Sequence, residues 1–357
     1  MNKFNLMITI AFLAVTFTAC KKDSDEPIVV VPPSDGSTLT LSGLVGAEAG
    51  SAAGNSVYVD FSADKQTSIA RSSWDLGFYS GSDFRVILNN TTGAGAKVVT
   101  TTNASLATVG EVDTLGLRLA VNQADPANTD FAHFDAINGN LSNTVVPAVS
   151  ATAADNKIII LNRGTGGGIT ARSWIKLKVT RNASGGYTLQ YGKIKETTNF
   201  TTIDIPKDGN FNFKFVSLTN GAIVNAQPEK ANWDLEWTYS VYQTTFSGVL
   251  VPYNFSDLVF INSLGGTSAA VVSITDSKTY ASFSESNIAG ETFLTTRDAI
   301  GSGWRSTQPA TGVNTKVFYL IKDPAGNVYK LKFISMGAGD AGTRGKPVIE
   351  YKLVKKG

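Results

Sequence analysis

Apolar and polar residues alternate along most of the chain in short runs rich in Thr, Val, Ile and aromatics, broken by Gly, Asn and Asp. Successive side chains of a strand point to opposite faces, so a period of two predicts strands with one face in a core. No long segment keeps a 3.6-residue apolar period, and the chain reads as all-β with short helical turns at most. Two stretches, Ile158-Ile159-Ile160-Leu161 and Val317-Phe318-Tyr319-Leu320, are apolar without interruption. Such runs fit strands buried on both faces.

These stretches belong to a repetition with a period of about 159 residues. Trp74-Asp75-Leu76-Gly77-Phe78-Tyr79 recurs as Trp233-Asp234-Leu235-Glu236-Trp237-Thr238-Tyr239. Trp74, Leu76 and Phe78 share one face, as do Trp233, Leu235 and Trp237, while Asp75 and Asp234 point the other way. On that outward face they are expected to accept backbone or lysine hydrogen bonds. A glycine-led strand follows in each copy, Gly93–Val99 and Gly265–Val272.

After each apolar run a turn, Gly164–Gly168 or Asp323–Asn327, leads to Ile175-Lys176-Leu177-Lys178-Val179 or Tyr329-Lys330-Leu331-Lys332-Phe333. This alternation predicts apolar residues inward and lysines outward. Closing strands are expected at Tyr187–Tyr191 and Val348–Tyr351. The economical architecture is two tandem homologous antiparallel β domains, over 39–198 and 199–357, joined near Glu196–Pro206.

The first 38 residues are of another kind. Lys3 followed by the apolar run Leu6–Val15 and by small Thr18 and Ala19 has the form of a secretory signal over 1–19. The run is shorter than the ~20 residues of a membrane span. Cys20 stands where a bacterial lipobox places its cysteine, which predicts cleavage before it and a lipid anchor on it. Phe17 replaces the usual leucine. Lys21-Lys22-Asp23-Ser24-Asp25-Glu26 and a Pro-, Val- and Ser-containing segment then form a solvated tether over 20–38. The acidic cluster just after the lipid cysteine resembles a surface-export signal of bacterial lipoproteins, which implies outward display on the outer membrane, with periplasmic retention as the alternative.

Composition narrows the chemistry. Lys+Arg 31 against Asp+Glu 29 gives a net charge of +2, too balanced for a nucleic-acid or polybasic membrane binder. One His, one Cys and three Met leave no material for a disulfide framework or a Cys- or His-rich metal site. Any Ser-His-Asp mechanism would have to use His133. A binding protein is therefore expected rather than an enzyme. The Gly164–Gly168 loop lacks the Lys-Ser/Thr and the helix of a phosphate cradle and reads as a flexible turn.

The Trp-Asp-Leu strand with its glycine-led successor resembles the HmuY family of heme-binding lipoproteins from Bacteroidetes. The closing sequence Lys316–Phe333 followed by Ile349-Glu350-Tyr351, and the lipoprotein start, share that resemblance. The middles of the repeats, roughly 105–150 and 275–310, do not. The resemblance implies an all-β fold, surface display, and capture of heme for a TonB-dependent outer-membrane transporter. In the family two histidines, or in some members methionine, hold the iron. Here no histidine pair exists, and after signal removal the strong axial candidates are His133 and Met336, one in each repeat.

His133, in Asp130-Phe131-Ala132-His133-Phe134-Asp135, is a candidate axial ligand flanked by aromatics, or an ordinary loop histidine. Met336, directly after a strand, is a candidate ligand or a packing residue. Trp304 and Arg305, in a glycine-flanked segment, form a candidate platform for a porphyrin propionate or a sugar ring, or a buried loop anchor. Trp74 and Trp233 read as core. The resemblance, and not the residues alone, makes heme or porphyrin the leading ligand. The alternatives are a glycan- or protein-binding surface lipoprotein and a structural spacer.

Overall fold

The computed structural model describes residues 32–125 and 130–357, and Pro33–Gly357 form one compact unit. The predicted signal, Cys20 and most of the tether lie outside the described residues. Strands of the first repeat are β1 (Gly36–Thr40), β2 (Asn55–Asp60), β3 (Lys65–Ala70), β4 (Leu76–Tyr79), β5 (Val86–Leu88), β6 (Gly95–Val98), β7 (Ile159–Asn162), β8 (Ile175–Arg181) and β9 (Tyr187–Lys193). Those of the second are β10 (Thr201–Ile205), β11 (Phe213–Ser217), β12 (Ala222–Val224), β13 (Leu235–Phe246), β14 (Val249–Ile261), β15 (Ser268–Ser273), β16 (Arg305–Thr307), β17 (Ala310–Val313), β18 (Val317–Lys322), β19 (Val328–Ser335) and β20 (Val348–Lys355). The chain is all-β, its helical segments being short 3₁₀ turns among the described residues.

Strand pairing is antiparallel, and the repeat reappears in it. One five-stranded sheet runs β6-β7-β8-β9-β10 and its counterpart β15-β18-β19-β20-β1. Four-stranded sheets run β5-β4-β11-β12 and β3-β2-β13-β14, and β16 pairs with β17. Each copy thus lends its first three strands to the other copy's sheets. The ranges 39–198 and 199–357 therefore do not mark separate bodies. One core is built from the contiguous stretch β4–β12, and the other from β1–β3 together with β13–β20. Sequence similarity locates the copies but cannot say which copy's strand fills an edge, because equivalent strands carry equivalent patterns.

The continuous apolar runs are buried on both faces. Ile159 and Leu161 enter the core between sheets while Ile158 and Ile160 pack under the 99–119 segment. Tyr319 and Ile321 face the second core while Phe318 and Leu320 pack with Phe283. These covers correct the expected outward lysines. Lys176 and Lys330 are buried; the Lys176 ammonium donates to the Val109 carbonyl, and that of Lys330 to the Tyr280 and Phe283 carbonyls. The middles of the repeats close over the back of each sheet, which a period of two does not reveal.

Candidate functional site

The Trp-Asp-Leu strands lie at equivalent places. The Asp75 backbone donates to Val216 O at 2.8 Å and that of Asp234 to Val59 O at 2.7 Å. The Asn89 amide donates to Trp74 O, and the Asn262 amide to Trp233 O. Trp74 meets Phe215 edge-on at 4.7 Å, and Trp233 meets Tyr58 at 5.1 Å. Both tryptophans are core residues, as their repetition implies.

The two aspartates are buried rather than outward. Asp75 accepts from Arg163 at 2.8 Å on both oxygens, from Arg172 at 3.0 Å and from the Leu218 amide at 2.8 Å. Asp234 accepts from the Phe61 amide at 3.0 Å and the Thr267 hydroxyl at 3.4 Å. Asp323 immediately follows β18 just as Arg163 follows β7. The guanidinium of one copy is thus a carboxylate in the other. Burial raises Asp234 to about 7, aided by the charges of Asp60 and Asp323.

An open groove of about 640 Å³ lies between the 131–145 segment and the long β13–β14 hairpin. Phe131, Phe134, Val145 and Leu250 supply apolar wall, and Asp135, Gln243 and Asp298 supply polar groups. Its size falls within the ~300–1,000 Å³ usual for small-molecule sites. Asp135 is pinned by the Leu88 and Val145 amides, yet burial raises it to about 6. At the hairpin tip Phe246 and Val249 are exposed next to Leu250 of the groove wall.

His133 closes a 3₁₀ turn, Phe131–His133, capped by the Asp130 side chain. Its neighbours Ala132 and Phe134 line the groove; the imidazole does not. Nδ1 lies 3.2 Å from Ala96 O on β6. A carbonyl accepts only, so Nδ1 is the donor in this contact, which in the neutral ring leaves the lone pair on Nε2.

The other candidates are not brought to this groove. Met336 is fully buried in the second core, correcting its reading as a ligand. Trp304 is likewise fully buried, stacked on Phe333 at 4.1 Å, with its indole N–H donating to Asp257 O at 2.8 Å. It is an anchor and not an exposed platform. Arg305 is half-buried beside Asp257 and Arg344 and donates to Ser256 O. The glycine loop is held, not free: the Arg71 guanidinium donates to Gly166 O and Gly167 O at 3.2 Å. A Cβ on Gly167 would fall 2.5 Å from that guanidinium.

The two sequence-predicted iron ligands are not brought together: His133 stands in the turn beside the groove and Met336 lies in the second core. Among the described residues no group of three or more His, Cys, Asp or Glu is placed to hold a metal ion, and no helix is long and apolar enough to cross a membrane. A family model described as HmuY protein matches residues 52–351. The chain belongs to the HmuY family. The match spans both repeats, as the exchanged strands do. Among curated proteins no match was found, and among solved structures none either.

Sequence reasoning located His133 and its aromatic neighbours but missed Gln243, Leu250 and Asp298. The hairpin carrying the first two is far longer than its counterpart β4–β5, and this excess length over the first repeat was the available signal.

Proposed function

We propose that this HmuY-family chain is a lipid-anchored outer-membrane protein, not an enzyme, that captures heme or porphyrin at the cell exterior for a TonB-dependent transporter. Support comes from the groove beside His133, whose apolar wall residues suit a planar macrocycle, and from the position of this histidine in the turn that borders it. Affinity then comes mainly from burying the macrocycle's apolar faces, with at most one protein ligand on the iron. Cys20 supplies the anchor, and the tether carries the folded unit away from the bilayer.

Hemin titration of the chain from Lys21 onward, followed at the Soret band, tests this reading. A saturable shift is expected, weakened several-fold by Leu250→Asp at the exposed hairpin and changed in band position by His133→Ala. Absence of a saturable shift at micromolar hemin overturns it.

A further inference from the structure

The β13–β14 hairpin that carries Gln243 and Leu250 of the groove wall does not run straight. Thr238 pairs with Leu258 and Ser240 with Phe255, so Tyr239 faces both Ser256 and Asp257. One extra residue in one strand is a β-bulge, which bends the ribbon and re-aims what lies beyond it. Asp257 takes the bend with φ 56°, a left-handed conformation that aspartate tolerates better than most residues. Below the bulge Leu235, Trp237, Val259 and Ile261 are buried in the second core. β2 pairs with β13 over Leu235–Trp237, and the ribbon beyond the bulge has left that pairing. The equivalent hairpin of the first repeat, β4–β5, pairs Leu76–Phe78 with Val86–Leu88 without a register shift, so the bend belongs to one copy.

Both bulge residues are gripped from the side of the second core. The Arg344 guanidinium donates to Asp257 Oδ2 at 2.6 and 3.0 Å and to Ser256 Oγ at 2.8 Å. The Trp304 indole donates to Asp257 O, and the Arg305 guanidinium to Ser256 O. The Asp257 side chain is 0% exposed and that of Arg344 23%, so salt and water screen little of their attraction. Arg344 is itself confined: a Cβ on Gly50 would fall 2.1 Å from its carbonyl oxygen, and one on Gly337 2.2 Å from its backbone nitrogen. A planar fork thus meets the bend from a fixed point. Leu250 lies seven residues beyond Asp257, ~23 Å along the strand, where a change of about 10° at the bend displaces it by ~4 Å. Apolar contact ends at ~4.5 Å, so such a change opens the wall. We infer that Arg344 is a positioning residue of the groove: by holding Ser256 and Asp257 it sets the angle of the ribbon, and with it the width of the site between Leu250 and the 131–145 segment. The consequence for ligand binding rests on the groove being the ligand site.

Arg344→Met keeps the stem and removes the fork, while Arg344→Lys keeps the charge without the fork. Both are made in the chain from Lys21 onward and compared without denaturant, with near-ultraviolet circular dichroism reporting the folded core. Without ligand, amide hydrogen exchange across 240–255 is expected to quicken about tenfold in Arg344→Met and less in Arg344→Lys, with β18–β20 unchanged. Protoporphyrin IX, free of metal and followed by its own fluorescence, is expected to bind Arg344→Met about fivefold more weakly than the parent chain, with Arg344→Lys between them. A residue serving stability alone would lower the urea midpoint and leave both readings of the folded protein as they were. Should Arg344→Met not fold, Arg344→Lys and Asp257→Asn carry the comparison. Unchanged exchange across 240–255, or unchanged affinity where exchange has quickened, overturns the inference. A parent chain that binds neither protoporphyrin IX nor hemin overturns the heme reading instead, and exchange, read without ligand, still decides the role of Arg344.

Discussion

Two aspartates that occupy the same place in the repeat should respond oppositely to the same substitution. Asp75→Asn keeps volume and one carbonyl acceptor but removes the charge that holds Arg163 and Arg172. The Asp75 side chain is 1% exposed and those of its arginine partners 7% and 15%, so water screens little of the loss. Both guanidiniums then face each other without their shared counter-charge. Removing one partner of a buried ion pair costs ~3–5 kcal/mol, and that loss is expected here. Asp234→Asn removes a charge that has no cation against it and that Asp60 and Asp323 oppose; the amide oxygen still accepts from Phe61. Its expected effect at pH 7.5 is within ~1 kcal/mol of zero, on the stabilising side. Urea unfolding of the chain from Lys21 onward, followed by tryptophan fluorescence, measures both. Equal costs for the two variants, or a cost below ~1 kcal/mol for Asp75→Asn, would refute the electrostatic account of the pair.

Two further expectations follow from buried charge. Asp234 and Asp135, raised to about 7 and about 6, bind protons more tightly folded than unfolded, so their stabilisation is full below pH ~4 and lost as pH rises to ~7. Glu48, lowered to about 2 by hydrogen bonds from the backbone, mainly that of Val45, acts oppositely and loses stabilisation as pH falls below ~4.5. Urea midpoints should therefore fall from pH 5 to pH 7, with a shallower slope in Asp234→Asn; a rise over that interval contradicts the assignment. Arg71→Met keeps bulk but strips donors from Ala53 O, Thr91 O, Gly166 O and Gly167 O. It should cost ~3 kcal/mol or more and speed amide hydrogen exchange across 164–168, whereas unchanged exchange there would show that the loop is held by other contacts.

Periodicity along the chain was sufficient for the all-β class, the double-sided burial of Ile158–Leu161 and Val317–Leu320, the closing strands and the 159-residue repeat. These depend on alternation, which is local and written in consecutive residues. The partner of each strand is not local. β1 completes the sheet of β20 and β10 that of β9, and nothing in Gly36–Thr40 distinguishes an edge in its own copy from the equivalent edge in the other. For the same reason the outward lysines were misplaced, because the segments that cover Lys176 and Lys330 lack a recognisable pattern. The glycine neighbours of Trp304 left an exposed platform and a buried anchor both open, and a stacking partner 29 residues later in the sequence put it in the core. His133 was legible as the single histidine between aromatics. That Ala96 O fixes its tautomer, and that a groove opens beside it against a distant hairpin, was decided only when the chain closed on itself, since both depend on backbone brought together from far along the sequence.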